Sequence, residues 1–208
     1  MDSDRQDARR RQIETAAFEV LAEKGYRSTS MLQIAKRAAA SNQTLYAWYG
    51  SKQALFAALI ADNGRAVSDH LRAARDGQTD PLAALEDLGP LLLAFTTGDK
   101  AILVNRAAIA DADETGRLAE AIDTAARQEM VALITDLMAQ IVSAGRFADG
   151  TDAAEAAEVY ISLLFGEVQM RQALGRQGPL DPAQIAARAA RAFALTLRLF
   201  GDPPALTP

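Results

Sequence analysis

The chain has 208 residues, half of them apolar, with much alanine, few aromatics and no cysteine, which excludes disulfides, thiolate metal sites and cysteine nucleophiles. No run of about 18 apolar residues offers a membrane span, and the polar N-terminus MDSDRQDARRR has no signal core, so a cytoplasmic location is expected. The formal charge of −5 divides unevenly: residues 1–60 hold nine Lys/Arg against six Asp/Glu, net +3, and residues 61–208 hold thirteen against twenty-one, net −8.

Hydrophobic periodicity predicts an all-α protein of about nine helices. The first runs from about Arg5 to Lys24, with Ile13, Ala16, Ala17, Val20 and Leu21 on one face, and stops at Gly25. Tyr26 can tuck back against it. Thr29 or Ser30 caps a helix over Met31–Ala38, and Ser41 caps the next, from Asn42 to about Tyr49. Gly50 stops that helix, and Ser51 opens a longer one reaching about Arg75. Asp80-Pro81 is a cap followed by Pro at the first helical position, starting a helix to about Thr97. A shorter helix covers Lys100 to about Asp111, and a long amphipathic one covers Thr115–Ala144, ended by Gly145. Asp152 with Glu155 has the capping-box pattern for a helix to about Leu174. Asp181-Pro182 with Gln184 opens the last, which Gly201 ends before a Pro-rich tail.

Residues 29–56, TSMLQIAKRAAASNQTLYAWYGSKQALF, carry the most information. They read as two short helices joined by a tight turn, with Ile34, Ala35, Ala38 and Leu45 facing inward and Asn42, Gln43, Thr44 and Tyr46 facing out. A short helix with an apolar back and a polar, aromatic front suits the major groove of DNA. Asn42, Gln43 and Thr44 are best placed for base edges: Asn or Gln pairs bidentately with adenine, and the Thr methyl meets the thymine methyl. Lys52 stands in the first turn of the following helix, where its ammonium and the exposed amides can hold one phosphate. Thr29 or Ser30 can do the same at the start of the second helix. Other readings stay open: the +3 over sixty residues also fits ordinary scatter, Lys36 and Arg37 also fit a solvated face, Trp48 also fits a structural role, and Arg9, Arg10 and Arg11 fit a charged terminus better than a phosphate contact.

Gly25-Tyr26, Thr29-Ser30, Ile34-Ala35, Ser41, Thr44-Leu45-Tyr46, Trp48-Tyr49, Ser51-Lys52 and Ala54-Leu55-Phe56 stand in an order and spacing that resembles the DNA-binding domain of the tetracycline-repressor (TetR) family of bacterial regulators. The resemblance implies a three-helix helix-turn-helix domain over residues 1–50, followed over 51–208 by a larger helical ligand-binding and dimerisation domain, with 51–75 as linking helix. It also implies phosphate or sugar contacts for Tyr46 and Trp48. One departure is Ala39, where the family usually has Gly in the turn. A left-handed residue other than Gly costs on the order of 1 kcal/mol.

The remainder carries no chemical motif. It has a single His, His70, and neither a Gly-rich phosphate loop nor a serine elbow, so no enzymatic activity, metal or cofactor is expected. Ser143-Ala144-Gly145-Arg146-Phe147 and Tyr160–Gly166 resemble, more loosely, the AcrR/AefR-like C-terminal domains, which implies control of efflux or stress genes. Val159, Leu163, Gly166 and Met170 form one stripe, and Ala190, Phe193 and Leu197 belong to another. These stripes either build a four-helix homodimer interface or close the subunit's own core. A ligand cavity is expected near Phe95, Asn105, Arg106, Ile109, Met130, Ile134, Met138, Phe165 and Gln169. Arg106 either meets an anionic ligand or pairs with Asp111 or another acid. The expected function is a ligand-responsive regulator, most simply a repressor, that binds a palindromic operator as a homodimer and is released by an apolar or aromatic small molecule. An activator differs only in operator position. A helical receptor or adaptor without sequence-specific DNA binding is the alternative.

Overall fold

The computed structural model describes residues 2–201, so the Pro-rich tail lies outside the described residues. Among them are twelve α-helices, one π-helical turn and no strand. In order these are α1 (Asp2–Ser28), α2 (Met31–Arg37), α3 (Asn42–Tyr49), α4 (Lys52–Asn63), α5 (Arg65–Arg75), α6 (Pro81–Thr96), α7 (Asp99–Ala112), α8 (Arg117–Ile122), the π turn (Asp123–Arg127), α9 (Gln128–Ser143), α10 (Ala153–Phe165), α11 (Val168–Ala173) and α12 (Pro182–Phe200).

Three expected helices are each divided, which accounts for twelve in place of nine. The first divides at Gly64, between α4 and α5. The second carries the π turn, whose wider winding interrupts the 3.6-residue period between α8 and α9. The third breaks at Gly166, with φ 44 and ψ −125, a backbone that suits glycine alone. Asp80 and Asp181 cap α6 and α12 as the Asp-Pro pairs predict. Asp152 caps α10 through the Ala154 amide, one residue earlier than a capping box requires.

The chain packs as two compact units, one from residues up to Asp62 with Lys100–Ala126, the other from Asn63–Asp99 with Arg127 onward. The first unit thus extends past residue 50 and takes in α7 and α8. On α1, Ile13, Ala16, Ala17, Val20 and Leu21 are buried at helical spacing. Gly25, with φ 71 and ψ 168, breaks the helical backbone where the sequence predicts a stop. Phe56 of α4 is fully buried between Phe18 and Tyr26, meeting both edge-on with ring centroids 6.4 and 6.1 Å away.

The second unit has its own core. Helix α6 packs against α5, α9, α10 and α12, burying Leu85, Leu88 and Leu92 beside Ile134, Met138, Phe147 and Tyr160. Pro90 lies inside α6 without ending it. At the α6–α12 crossing, a Cβ on Gly89 would meet the Ala189 Cβ at 2.9 Å, so glycine permits the approach. The Tyr160 hydroxyl donates to the Leu85 carbonyl at 3.3 Å, and burial pushes its phenol above the ordinary tyrosine range. His70 is half-buried, with a ring nitrogen 2.8 Å from the Ala84 carbonyl oxygen.

Candidate nucleic-acid interface

The turn between α2 and α3 sets the aim of α3. The Ala39 and Ala40 amides donate back to the carbonyls of Lys36 (3.3 Å) and Ala35 (2.9 Å), the Schellman arrangement that places a left-handed residue between helix and turn. That residue is Ala39, with φ 49, the one non-glycine with positive φ among the described residues. The cost expected from the sequence is therefore present. Arg9 donates to the Ala38 carbonyl at 3.2 Å and so supports the same turn. It acts as a cap rather than as part of a loose charged terminus.

Helix α3 is held from behind by Leu45, its one buried residue. At its start the Ser41 hydroxyl accepts from the Thr44 amide at 2.9 Å and lies 2.7 Å from the Thr44 hydroxyl. Gln43 is exposed and Thr44 half-buried. Asn42 is half-buried, and its Oδ1 is buried without a hydrogen-bond partner. Tyr46 is 50% exposed and Trp48 38% exposed. Both aromatics are thus accessible to a molecule that meets α3, and the Trp48 ring also meets Tyr49 edge-on at 6.4 Å between centroids.

Lys52 lies at the start of α4, behind Ser51, whose hydroxyl accepts from the Ala54 amide at 3.1 Å. Its Nζ donates to the Tyr26 carbonyl at 2.8 Å and sits 3.9 Å from the centre of the Tyr26 ring. Burial pulls this ammonium below the ordinary lysine range, while Asp111 and Glu114 act in the opposite direction. An ammonium has three N–H groups, so one bond to Tyr26 orients the side chain without using up its donors. The sequence places Tyr26 against α1; its service to Lys52 is visible only in three dimensions.

Of the pair Thr29 and Ser30, the structure makes Ser30 the cap and turns Thr29 inward. Thr29 is 3% exposed and its hydroxyl donates to the Gly25 carbonyl at 2.8 Å, so it closes the break in α1 rather than facing outward. Ser30 is the exposed member of the pair and forms a capping box with Gln33. Arg37 is paired with Glu23 through two bonds of 2.8 and 2.7 Å and with Glu19 at 3.2 Å, which ties α2 to α1.

The expected ligand residues divide between the units. Asn105, Arg106 and Ile109 belong to α7, where Arg106 is exposed rather than inward and Ile109 is 60% exposed. The Asp111 carboxylate is buried and accepts from the Thr115 hydroxyl and the Leu118 amide. In the second unit Ile134 and Met138 are core residues, with Phe95, Met130 and Phe165 packed half-buried against the core. Gln169 is half-buried on α11. Of the expected interface residues, Val159, Leu163, Phe193 and Leu197 are half-buried, whereas Gly166, Met170 and Ala190 are exposed. Leu163, Phe193 and Leu197 also pack against their own core.

Known proteins supply the context. Residues 13–59 match the family model "Bacterial regulatory proteins, tetR family", and residues 83–202 match "AefR-like transcriptional repressor, C-terminal domain". No curated protein matches the sequence. Among solved structures, the Agrobacterium tumefaciens TetR transcriptional regulator is 25% identical with a TM-score of 0.69, covering 92% of this chain and 94% of its own. The flavonoid-responsive regulator FrrA shares 24% identity at a TM-score of 0.66, covering 95% of this chain and 100% of its own. The Thermus thermophilus FadR repressor, solved with lauroyl-CoA, shares 20% identity at a TM-score of 0.62, covering 96% and 98%. With both family models together spanning most of its length, the chain belongs to the TetR family of bacterial regulatory proteins and carries an AefR-like C-terminal domain.

Proposed function

We propose that this protein is a ligand-responsive transcriptional repressor that binds an inverted-repeat operator as a homodimer and is released by a largely apolar or aromatic small molecule. The observation that carries the DNA-binding part is the front of α3. Gln43, Tyr46 and Trp48 are open to solvent on a helix anchored by Leu45 and capped by Ser41, inside the region matched to the regulator family. Gln43 reads a base edge, while Tyr46, Trp48 and Lys52 hold the sugar–phosphate backbone. Two such heads about 34 Å apart address successive major grooves on one face of the duplex. The AefR-like repressor match supports repression, and the relatives responsive to flavonoids or bound to lauroyl-CoA support an apolar or aromatic effector. Such a molecule releases DNA by binding the low-affinity conformation better than the high-affinity one.

Selection of bound fragments from a random DNA pool by the purified protein at physiological salt tests this reading. Enrichment of an inverted repeat is expected. A folded protein that enriches nothing would overturn the proposal in favour of a receptor without sequence-specific DNA binding, which no structural feature favours now.

A further inference from the structure

Arg27 stands in the last turn of α1, directly after Tyr26, whose carbonyl and ring hold the Lys52 ammonium. Arg27 is therefore the chain neighbour of the residue that orients Lys52, and its partner Glu114 also acts on the Lys52 ammonium. The Arg27 Nε lies 2.8 Å from Glu114 Oε1, with side chains 62% and 44% exposed. Arg37, by contrast, is the more enclosed at 37% exposed and takes two carboxylates. The pairing of Arg27 is thus the looser of the two, and an exposed single ion pair contributes little to stability and exchanges readily.

Its partner, however, is firmly mounted. The amides of Glu114, Thr115 and Gly116 all donate to the Asp111 carbonyl, at 3.1, 2.9 and 2.9 Å. The Asp111 side chain, 2% exposed, is fixed by Thr115 and Leu118. The turn after α7 therefore holds the Glu114 backbone in place beside a solvent-exposed arginine. A guanidinium donates its N–H groups to a phosphate in the same planar geometry as to a carboxylate.

We propose that Arg27 is a further DNA-backbone contact of the reading head, and that Glu114 holds its guanidinium in the absence of DNA, in the place a phosphate takes on binding. The inference rests on the DNA-binding reading above. Glu114 lowers affinity for any duplex, since a phosphate must displace it, and leaves sequence preference untouched, since phosphate contacts do not report base identity.

The test uses the full-length protein with two probes, the duplex enriched from the random pool and a non-cognate duplex of equal length. Glu114→Gln is expected to tighten binding to both by about two- to fivefold. Arg27→Gln is expected to weaken both and to reduce the salt slope by about one. Base preference stays as in the parent protein. If the pair only ties α1 to α7, neither variant tightens binding; unchanged or weaker binding by Glu114→Gln overturns the proposal. Lys52→Ala separates the levels. If it weakens binding while the Arg27 and Glu114 variants do not shift it, this inference alone falls. If Lys52→Ala and the parent both fail to bind, the DNA-binding reading falls with it.

Discussion

Ala39 shows how a single side chain registers a backbone demand. Its φ of 49 lies in the left-handed region that glycine enters freely, and relief of that strain is worth about 1–2 kcal/mol. Glycine's greater freedom in the unfolded chain offsets about half of this. Ala39→Gly should therefore stabilise the protein by about 0.5–1 kcal/mol in urea unfolding, and Ala39→Val should destabilise it. At the DNA front, Tyr46→Ala and Lys52→Ala should weaken binding across sequences, with the salt slope of Lys52→Ala reduced by about one. Gln43→Ala should instead flatten preference at one base position, a loss of about 1–3 kcal/mol of discrimination read from competition with single-base operator variants. Equal affinity loss on every variant duplex would assign Gln43 to the backbone.

At the scale of elements, the junctions between helices are the exacting places. Helix α2 is joined to α1 by Arg37, whose bidentate bond holds the Glu23 carboxyl below its ordinary range. A depressed carboxylate pKa contributes stability that is complete above the unfolded-state value and is lost as pH falls through the folded one. The stability difference between the parent protein and Arg37→Gln should accordingly be largest at neutral pH and vanish in acid. Thermal midpoints that stay apart at low pH would refute that assignment. Gly89 is the corresponding position at the α6–α12 crossing. A Cβ there would stand 2.9 Å from Ala189 Cβ and 3.1 Å from the Tyr160 hydroxyl, so Gly89→Ala should cost about 1–2 kcal/mol after its gain in helix propensity. Stabilisation in a denaturant titration would show that the crossing can open.

For the whole molecule, the decisive question is how much apolar surface α10, α11 and α12 leave open. Met170, Leu174 and Leu199 are 63%, 67% and 62% exposed in the single chain, and Ala186, Ala190 and Ala194 repeat every four residues as exposed small side chains on α12. The alanine stripe would let a helix of a second copy approach α12 closely, as the proposed homodimer requires. Ala190→Glu should yield a monomer in sedimentation at micromolar concentration, with operator affinity falling to that of a single head. A dimer that survives this charge would place the interface elsewhere. Net charge belongs to this scale as well: the first sixty residues carry +3 and the remainder −8, so any attraction to phosphate comes from local basic side chains and not from the charge of the whole molecule.

Much of the fold was legible because its signals are local. Caps at Ser30, Ser41, Asp80 and Asp181, stops at Gly25 and Gly50, and the alternation of buried positions on α1 depend on residues within a turn or two of each other. The exposure of Gln43 and Tyr46 was legible for the same reason, since they lie three residues apart on the side of α3 away from Leu45. What the sequence did not announce depends on neighbours far along the chain. Arg9 reaches the Ala38 carbonyl across 29 positions, Lys52 reaches the Tyr26 carbonyl across 26, and Thr29 turns inward to Gly25. The interruptions at Gly64, at the π turn and at Gly166 likewise escaped a pattern whose apolar period runs through them. By itself the sequence determined the all-helical class, the capped helix starts and the exposed side of α3, because propensity and periodicity act along the chain. Only the tertiary structure decided which polar groups spend their donors inside, because a hydrogen bond is assigned by distance in space.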